Sequence, residues 1–302
     1  MASIYKQADS NTRKTWFLIT GFLVFIIALG FLFSYLLNDS AILYVAVFIS
    51  IFSSFGSYWW SDKIVLAMYR AIPIDHNKNQ ELYHVVENLC ITAGLPVPKI
   101  YIIPEMQPNA FATGRDKKHA VVAVTQGLLN RLNKTELQGV LAHELSHIGN
   151  KDMLLSTVVA VLAGVVAMLA NFFMRISFWG GGRRRSDNEN NSVGAILMIV
   201  GILAAILAPV AAALVQLAIS RKREFLADAD GALLTRYPEG LASALEKIAA
   251  DSTPMRITND ATASLFIDSP YKGQQKANWF AKLFSTHPPV GERISALRDM
   301  EV

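Results

Sequence analysis

Four stretches of the 302-residue chain carry no charged residue over a length that can cross a bilayer: residues 16–37, 41–60, 153–174 and 193–219. About 20 apolar residues in a helix match the hydrocarbon core, so each is predicted to be a transmembrane helix. The second ends in Tyr58-Trp59-Trp60, side chains that favour the membrane–water interface. The third stops at Arg175 and the fourth stops before Arg221-Lys222-Arg223. The first run is too long for a secretory signal, and no small-residue cleavage site precedes the next span, so it reads as an anchor.

The spans divide the chain into a membrane anchor (1–60), a polar block (61–152), a helical hairpin (153–219) and a second polar block (220–302). A hairpin returns the chain to the side it left, so both blocks share one side. Lys6, Arg13 and Lys14 precede the first span, Lys63 and Arg70 follow the second, and three basic residues follow the fourth. The link Asn38-Asp39-Ser40 has none. The positive-inside rule then puts both termini and both blocks in the cytoplasm. Arg175, Arg183, Arg184 and Arg185 conflict with this, because they fall on the outer side. Either the flanking blocks anchor the hairpin despite that charge, or the hairpin does not fully cross.

Within the first block, residues 82–95 read as a helix. Residues 99–103 and 119–125 read as strands from their β-branched content, with 109–113 a third between them. Thr135 with Gln138 suggests a capping box opening the next helix, which ends near Gly149-Asn150. In the second block a helix is expected to continue out of the fourth span through Glu224 and Asp228. Another covers 240–250, and a last one opens at Pro288-Pro289.

Composition sharpens this picture. The chain is 52% hydrophobic and 17% charged, with a mean hydropathy of +0.32, too apolar for an ordinary soluble protein. The net charge of +4 is modest and its basic residues flank the spans, so no nucleic-acid partner is implied. Cys90 is the only cysteine, which excludes an internal disulfide.

The chemistry lies in His143-Glu144-Leu145-Ser146-His147, followed 77 residues after His147 by Glu224 and then Asp228. A helix puts residues four apart on one face, so both imidazoles can reach one metal ion, with Glu144 aimed at a water on it. A catalytic zinc takes three protein ligands and keeps a position open. Glu224 is the best third ligand, and Asp228, one turn on, can fix the tautomer of a ligand imidazole. If both connections to the spans are helical, His147 and Glu224 sit at one height, roughly 8–9 Å beyond the apolar segments.

Taken with Pro108-Asn109-Ala110-Phe111-Ala112 and Ser285-Thr286-His287-Pro288-Pro289 with Arg293 beyond, the chain resembles the HtpX family of bacterial membrane zinc metalloproteases, relatives of the CAAX prenyl endopeptidases. The resemblance implies an α+β membrane protein with a gluzincin-type protease domain and a small sheet whose edge strand holds substrate. It implies one Zn2+ per subunit held by His143, His147 and Glu224, and Glu144 as catalytic base. Asn109, Ala110, Phe111 and Ala112 match the substrate-binding strand, and His287 and Arg293 match a downstream pair near the site, where they would stabilise an oxyanion. It also implies membrane-protein or peptide substrates, cut at the cytoplasmic face of the inner membrane in quality control under stress, and it leaves a homo-oligomer open.

Other classes fit less well. An intramembrane protease needs its zinc helix inside the bilayer, against the polar flanks 133–136 and 150–152. A chaperone or scaffold with a structural zinc would be expected to show a fourth ligand, often Cys. A transporter would want ionisable residues within its spans.

Overall fold

The computed structural model describes residues 2–75, 77, 79–180, 221–259, 261–272 and 288–300. The fourth apolar segment, the Arg183–Arg185 cluster and His287 lie outside the described residues.

Among the described residues three helices are long and apolar enough to cross a membrane. Helix α1 (Ala2–Leu37) and helix α2 (Ala41–Trp59) form an antiparallel pair. Helix α1 begins well before the apolar run, so the polar N-terminal segment is helical too. A third long helix, α7 (Asp152–Gly180), packs on both. Ile19, Phe22 and Ile26 of α1 meet Leu154, Val158 and Leu162 of α7 in a shared apolar cluster. Phe48, Phe52 and Phe55 of α2 point outward, as expected for a helix whose outer face meets lipid.

After the short helix α3 (Ser61–Met68) the chain enters the polar block. Strand β1 (Ile72–Pro73) precedes helix α4 (Gln80–Ala93), which ends at Gly94. That glycine sits at φ +63°, the left-handed cap that closes helices cheaply only without a Cβ. Strands β2 (Lys99–Ile103), β3 (Ala110–Gly114) and β4 (Ala120–Thr125) follow. The sheet order is β1-β2-β4-β3, with β2 parallel to β4 and the other pairs antiparallel. β1 was not expected; two residues, one a proline, are too short to leave an alternation signal.

Both faces of the sheet are covered, which is why β3 and β4 are buried along their length. Ala110, Ala112, Val122 and Val124 face the main core with α4 and the next long helix, α6 (Lys134–Gly149). Phe111, Val121 and Ala123 face a second core. There Tyr69, Phe111 and Phe266 stack edge to face, ring centres 5.0 and 5.1 Å from Phe266.

Helix α5 (Gln126–Arg131) leads into α6, whose capping box differs from the expected one. Asn133 accepts from the backbone N–H of Glu136, and Glu136 accepts from that of Asn133. Either pair obeys the same spacing, and the tertiary partners of Glu136, Ser243 and Lys247, decide between them. The last described elements are α8 (Arg221–Thr235), α9 (Pro238–Ala250, proline in its first turn) and α10 (Val290–Arg298).

The helix ends near Gly149-Asn150 as expected, so the condition of a helical connection to the third span is not met. α6 does not run on into α7: the helix stops at Gly149 and turns at Lys151, φ +57°, before α7 starts. A continuous helical rise from the span to His147 therefore does not exist.

Candidate metal centre

His143 and His147 lie one turn apart on α6, and Glu224 comes from the first turn of α8. α8 can come this close because Gly231 faces α6. A Cβ there would lie 2.9 Å from the His143 backbone nitrogen. Glu224, Asp228 and Gly231 are spaced to share one face of α8, so the contact that admits Gly231 also delivers both carboxylates.

The Nε2 atoms of His143 and His147 converge to 3.2 Å. Glu224 closes the triangle, with Oε1 3.7 Å from His147 Nε2 and Oε2 3.9 Å from His143 Nε2. Tetrahedral ligands at ~2.0–2.1 Å from one ion sit roughly 3.3 Å apart, so this donor set fits a single zinc-sized cation. Asp228 Oδ1 lies 2.9 Å from His143 Nδ1, a contact off the line of a straight hydrogen bond. Asp152 Oδ2 lies 3.3 Å from His147 Nδ1. A carboxylate at each Nδ1 favours a proton there and leaves each Nε2 lone pair for a metal.

Glu144 is 1% exposed, and its Oε1 has no hydrogen-bond partner among the described residues. Burial raises its pKa, more than the neighbouring histidines lower it. Burial would lower His147, but the Asp152 bond and the Glu224 and Asp152 charges outweigh it and push the metal-free imidazole up to about 9. For Asp228, burial would raise the pKa, but the charge and hydrogen bonds of Arg293 bring it down to about 2.

Arg293 lies beside the ligands, behind the cavity rather than over it. It is fully buried, does not line the cavity over the histidines, and donates to Asp228 through Nε and Nη2. Nη1 donates to the Ile267 carbonyl and lies 3.9 Å from Glu224. Its chemistry here is to hold Asp228.

The expected substrate strand is only partly open. The Asn109 carbonyl accepts from Thr125 of β4, and strand alternation turns the main-chain groups of Ala110 and Ala112 to the free edge. Ile267 N–H already donates to the Ala110 carbonyl. The Asn109 side chain bonds the Asp268 backbone in both directions, and Phe111 is in the aromatic cluster behind the sheet. Ala112 lines the cavity with His143, Glu144, His147 and Glu224, under Leu265 and Phe266. The Phe266–Asp268 contact carried no recognisable sequence signal. Asp152 did: it stands five residues after His147, in the polar flank that also marks the helix as lying outside the membrane.

A model for peptidase family M48 matches residues 76–301. The chain belongs to this family. The HtpX protease homologue of Thermoanaerobacter pseudethanolicus is 45% identical over 300 residues, covering 99% of this chain and 98% of its own. That of Syntrophobacter fumaroxidans is 50% identical over 258 residues, covering 85% and 89%. The crystal structure of S. mikatae Ste24p shares the fold at a TM-score of 0.50 and 19% identity, over 99% of this chain and 67% of that one. The M48 chain is thus an HtpX-like membrane metallopeptidase, with a His143–His147–Glu224 group that can hold its metal.

Proposed function

We propose that this peptidase is a zinc endopeptidase of the bacterial inner membrane. Its catalytic blocks face the cytoplasm, and it cuts misfolded or damaged membrane proteins there. Blocks 61–152 and 220–302 together form the catalytic unit, and 1–60 and 153–219 hold it at the bilayer. The observation that carries the reading is the buried, unpartnered Glu144 oxygen beside three converging ligand atoms.

His143, His147 and Glu224 would hold the zinc. When bound, zinc supplies Lewis acidity toward the scissile carbonyl and acidifies a water. Glu144 takes the proton of the attacking water at its carboxylate and returns one to the leaving amine nitrogen. Ala112 aligns an extended substrate by main-chain hydrogen bonding at the edge of β3. Asp228 and Arg293 keep His143 in its ligating orientation. His287 is assigned the hydrogen bond to the oxyanion.

The test is cleavage of a misfolded membrane protein by the purified chain in lipid, with zinc, after chelation and after zinc return. Glu144→Gln should keep its zinc and lose cleavage. Zinc-independent cleavage, or full cleavage by Glu144→Gln, would overturn the proposal.

A further inference from the structure

The two ligand histidines are each backed by a carboxylate, and each carboxylate is itself held. Asp228, behind His143, is held by Arg293 of the second polar block. Asp152, behind His147, is held by a residue of the membrane anchor. Asn11 stands on α1 in the polar turns ahead of the apolar run, 1% exposed. Its Nδ2 donates to Asp152 Oδ1 at 2.5 Å and to the Asn150 carbonyl at 3.2 Å. Two acceptors on one side of the amide fix which end of Asn11 points there.

The place of this contact matters. Asn150 and Asp152 lie in and just after the break between α6 and α7, where no continuous helix fixes the chain. Asp152 is 3% exposed and needs partners to stay charged. One oxygen faces Asn11, with the Arg223 guanidinium 3.8 Å from it, and the other faces His147. Freed from Asn11, the carboxylate could turn from the imidazole, and the break would lose a cross-link to α1. A ligand imidazole whose Nδ1 acceptor has moved is no longer fixed in tautomer or ring angle.

We infer that Asn11 and Asp152 are positioning residues of the metal centre, and that the first membrane helix sets the orientation of His147 through them. The inference rests on the metallopeptidase reading and concerns metal binding directly, so it is tested apart from turnover. Zinc affinity of the full-length purified chain is measured by competition with a chromophoric chelator. The visible spectrum of the cobalt-substituted protein reports ligand geometry. Asp152→Ala should weaken zinc ~10–100-fold, the scale for loss of a group that orients a ligand. Asn11→Ala should weaken it severalfold and shift the cobalt bands. In the Asp152→Ala background, Asn11→Ala should add nothing, because the two act in series.

Thr15→Val is the control for packing of α1. Its hydroxyl is buried and donates to the Asn11 carbonyl, within the same helix. It should leave zinc affinity and the cobalt spectrum unchanged. If Asp152→Ala does not fold, Asp152→Asn, which keeps an oxygen for His147, takes its place and should weaken zinc less than tenfold. Wild-type affinity in Asn11→Ala, additive losses in the double variant, or an equal loss in Thr15→Val would overturn the inference. A wild-type chain that binds no zinc would instead overturn the metallopeptidase reading.

Discussion

Arg293 grips Asp228 with two hydrogen bonds, Nε to Oδ2 at 2.8 Å and Nη2 to Oδ1 at 2.7 Å, and both side chains are buried. Removing one member of such a pair strands the other as a buried charge. Arg293→Ala should cost ~3–5 kcal/mol of stability. Arg293→Lys should recover only part of it, because an ammonium cannot reproduce the two-pronged geometry. Thermal unfolding of both variants, with and without zinc, checks this. An Arg293→Ala chain as stable as wild type would mean that Asp228 is neutral in the fold.

The two carboxylates of α8 should separate by their effect on metal. Glu224 faces both Nε2 atoms, whereas Asp228 faces the far nitrogen of His143. Glu224→Ala should be metal-free at micromolar zinc. Asp228→Ala should keep metal, bound ~10–100-fold more weakly. Metal analysis after dialysis against defined zinc decides it, and full zinc retention in Glu224→Ala would refute the three-ligand site.

Gly231→Ala tests the approach of the two ligand helices. The new Cβ would meet backbone, not a flexible side-chain tip, at 2.9 Å. The helices must part by tenths of an ångström, at a cost of ~1–3 kcal/mol. Because Glu224 sits on the same face, zinc affinity should fall together with the melting temperature. A drop in melting temperature with unchanged zinc affinity would show that the ligands re-centre after the shift.

The pH dependence of stability should carry a contribution from Glu136. Burial would raise its pKa, but Lys247, Ser243 and the Asn133 N–H together lower it. A carboxylate depressed in the fold contributes stability that is complete above its unfolded value of ~4.3 and is lost as pH falls through the folded one. Glu136→Gln should therefore narrow the gap between melting temperatures at pH 6 and pH 3.5. An unchanged gap would assign the acid sensitivity to other groups.

Topology is tested by tags at residue 1, within residues 188–191 and at residue 302, probed from outside the cell. Only the middle tag should react. Its protection would mean that the segment after α7 returns without crossing and the arginine cluster stays inside.

What could be read from the chain divides by range. The α6 pattern holds both histidines and Glu144 within five residues, so helical periodicity alone sets the two imidazoles on one face with Glu144 beside them. Glu224 and Asp228 were legible because their four-residue spacing survives a long separation in sequence. Arg293 was legible as a residue near the site but not in its contact, since nothing local tells a charge that faces a cavity from one that faces Asp228. Asn11 lies 141 positions from Asp152, and an asparagine ahead of an apolar run looks like any solvated helix end. The end of α6 at Gly149-Asn150 was legible from its glycine, but the left-handed turn at Lys151 was not, because nothing local marks that residue. Likewise β3 looked like an open edge because Ile267 lies far away in sequence and carries no strand pattern.

If the half-covered edge of β3 takes substrate as proposed, it bears on what the peptidase can leave alone. A backbone that pairs with Ala112 must offer its own N–H and C=O, and in an intact helix those groups are already bonded to each other. A correctly inserted membrane helix or a closed sheet presents nothing for Ala112 to bond, whatever its side chains are. A chain that has lost that internal bonding does. Conformation can then serve as the recognition signal, so a sequence could be ignored while folded and cut once it unravels.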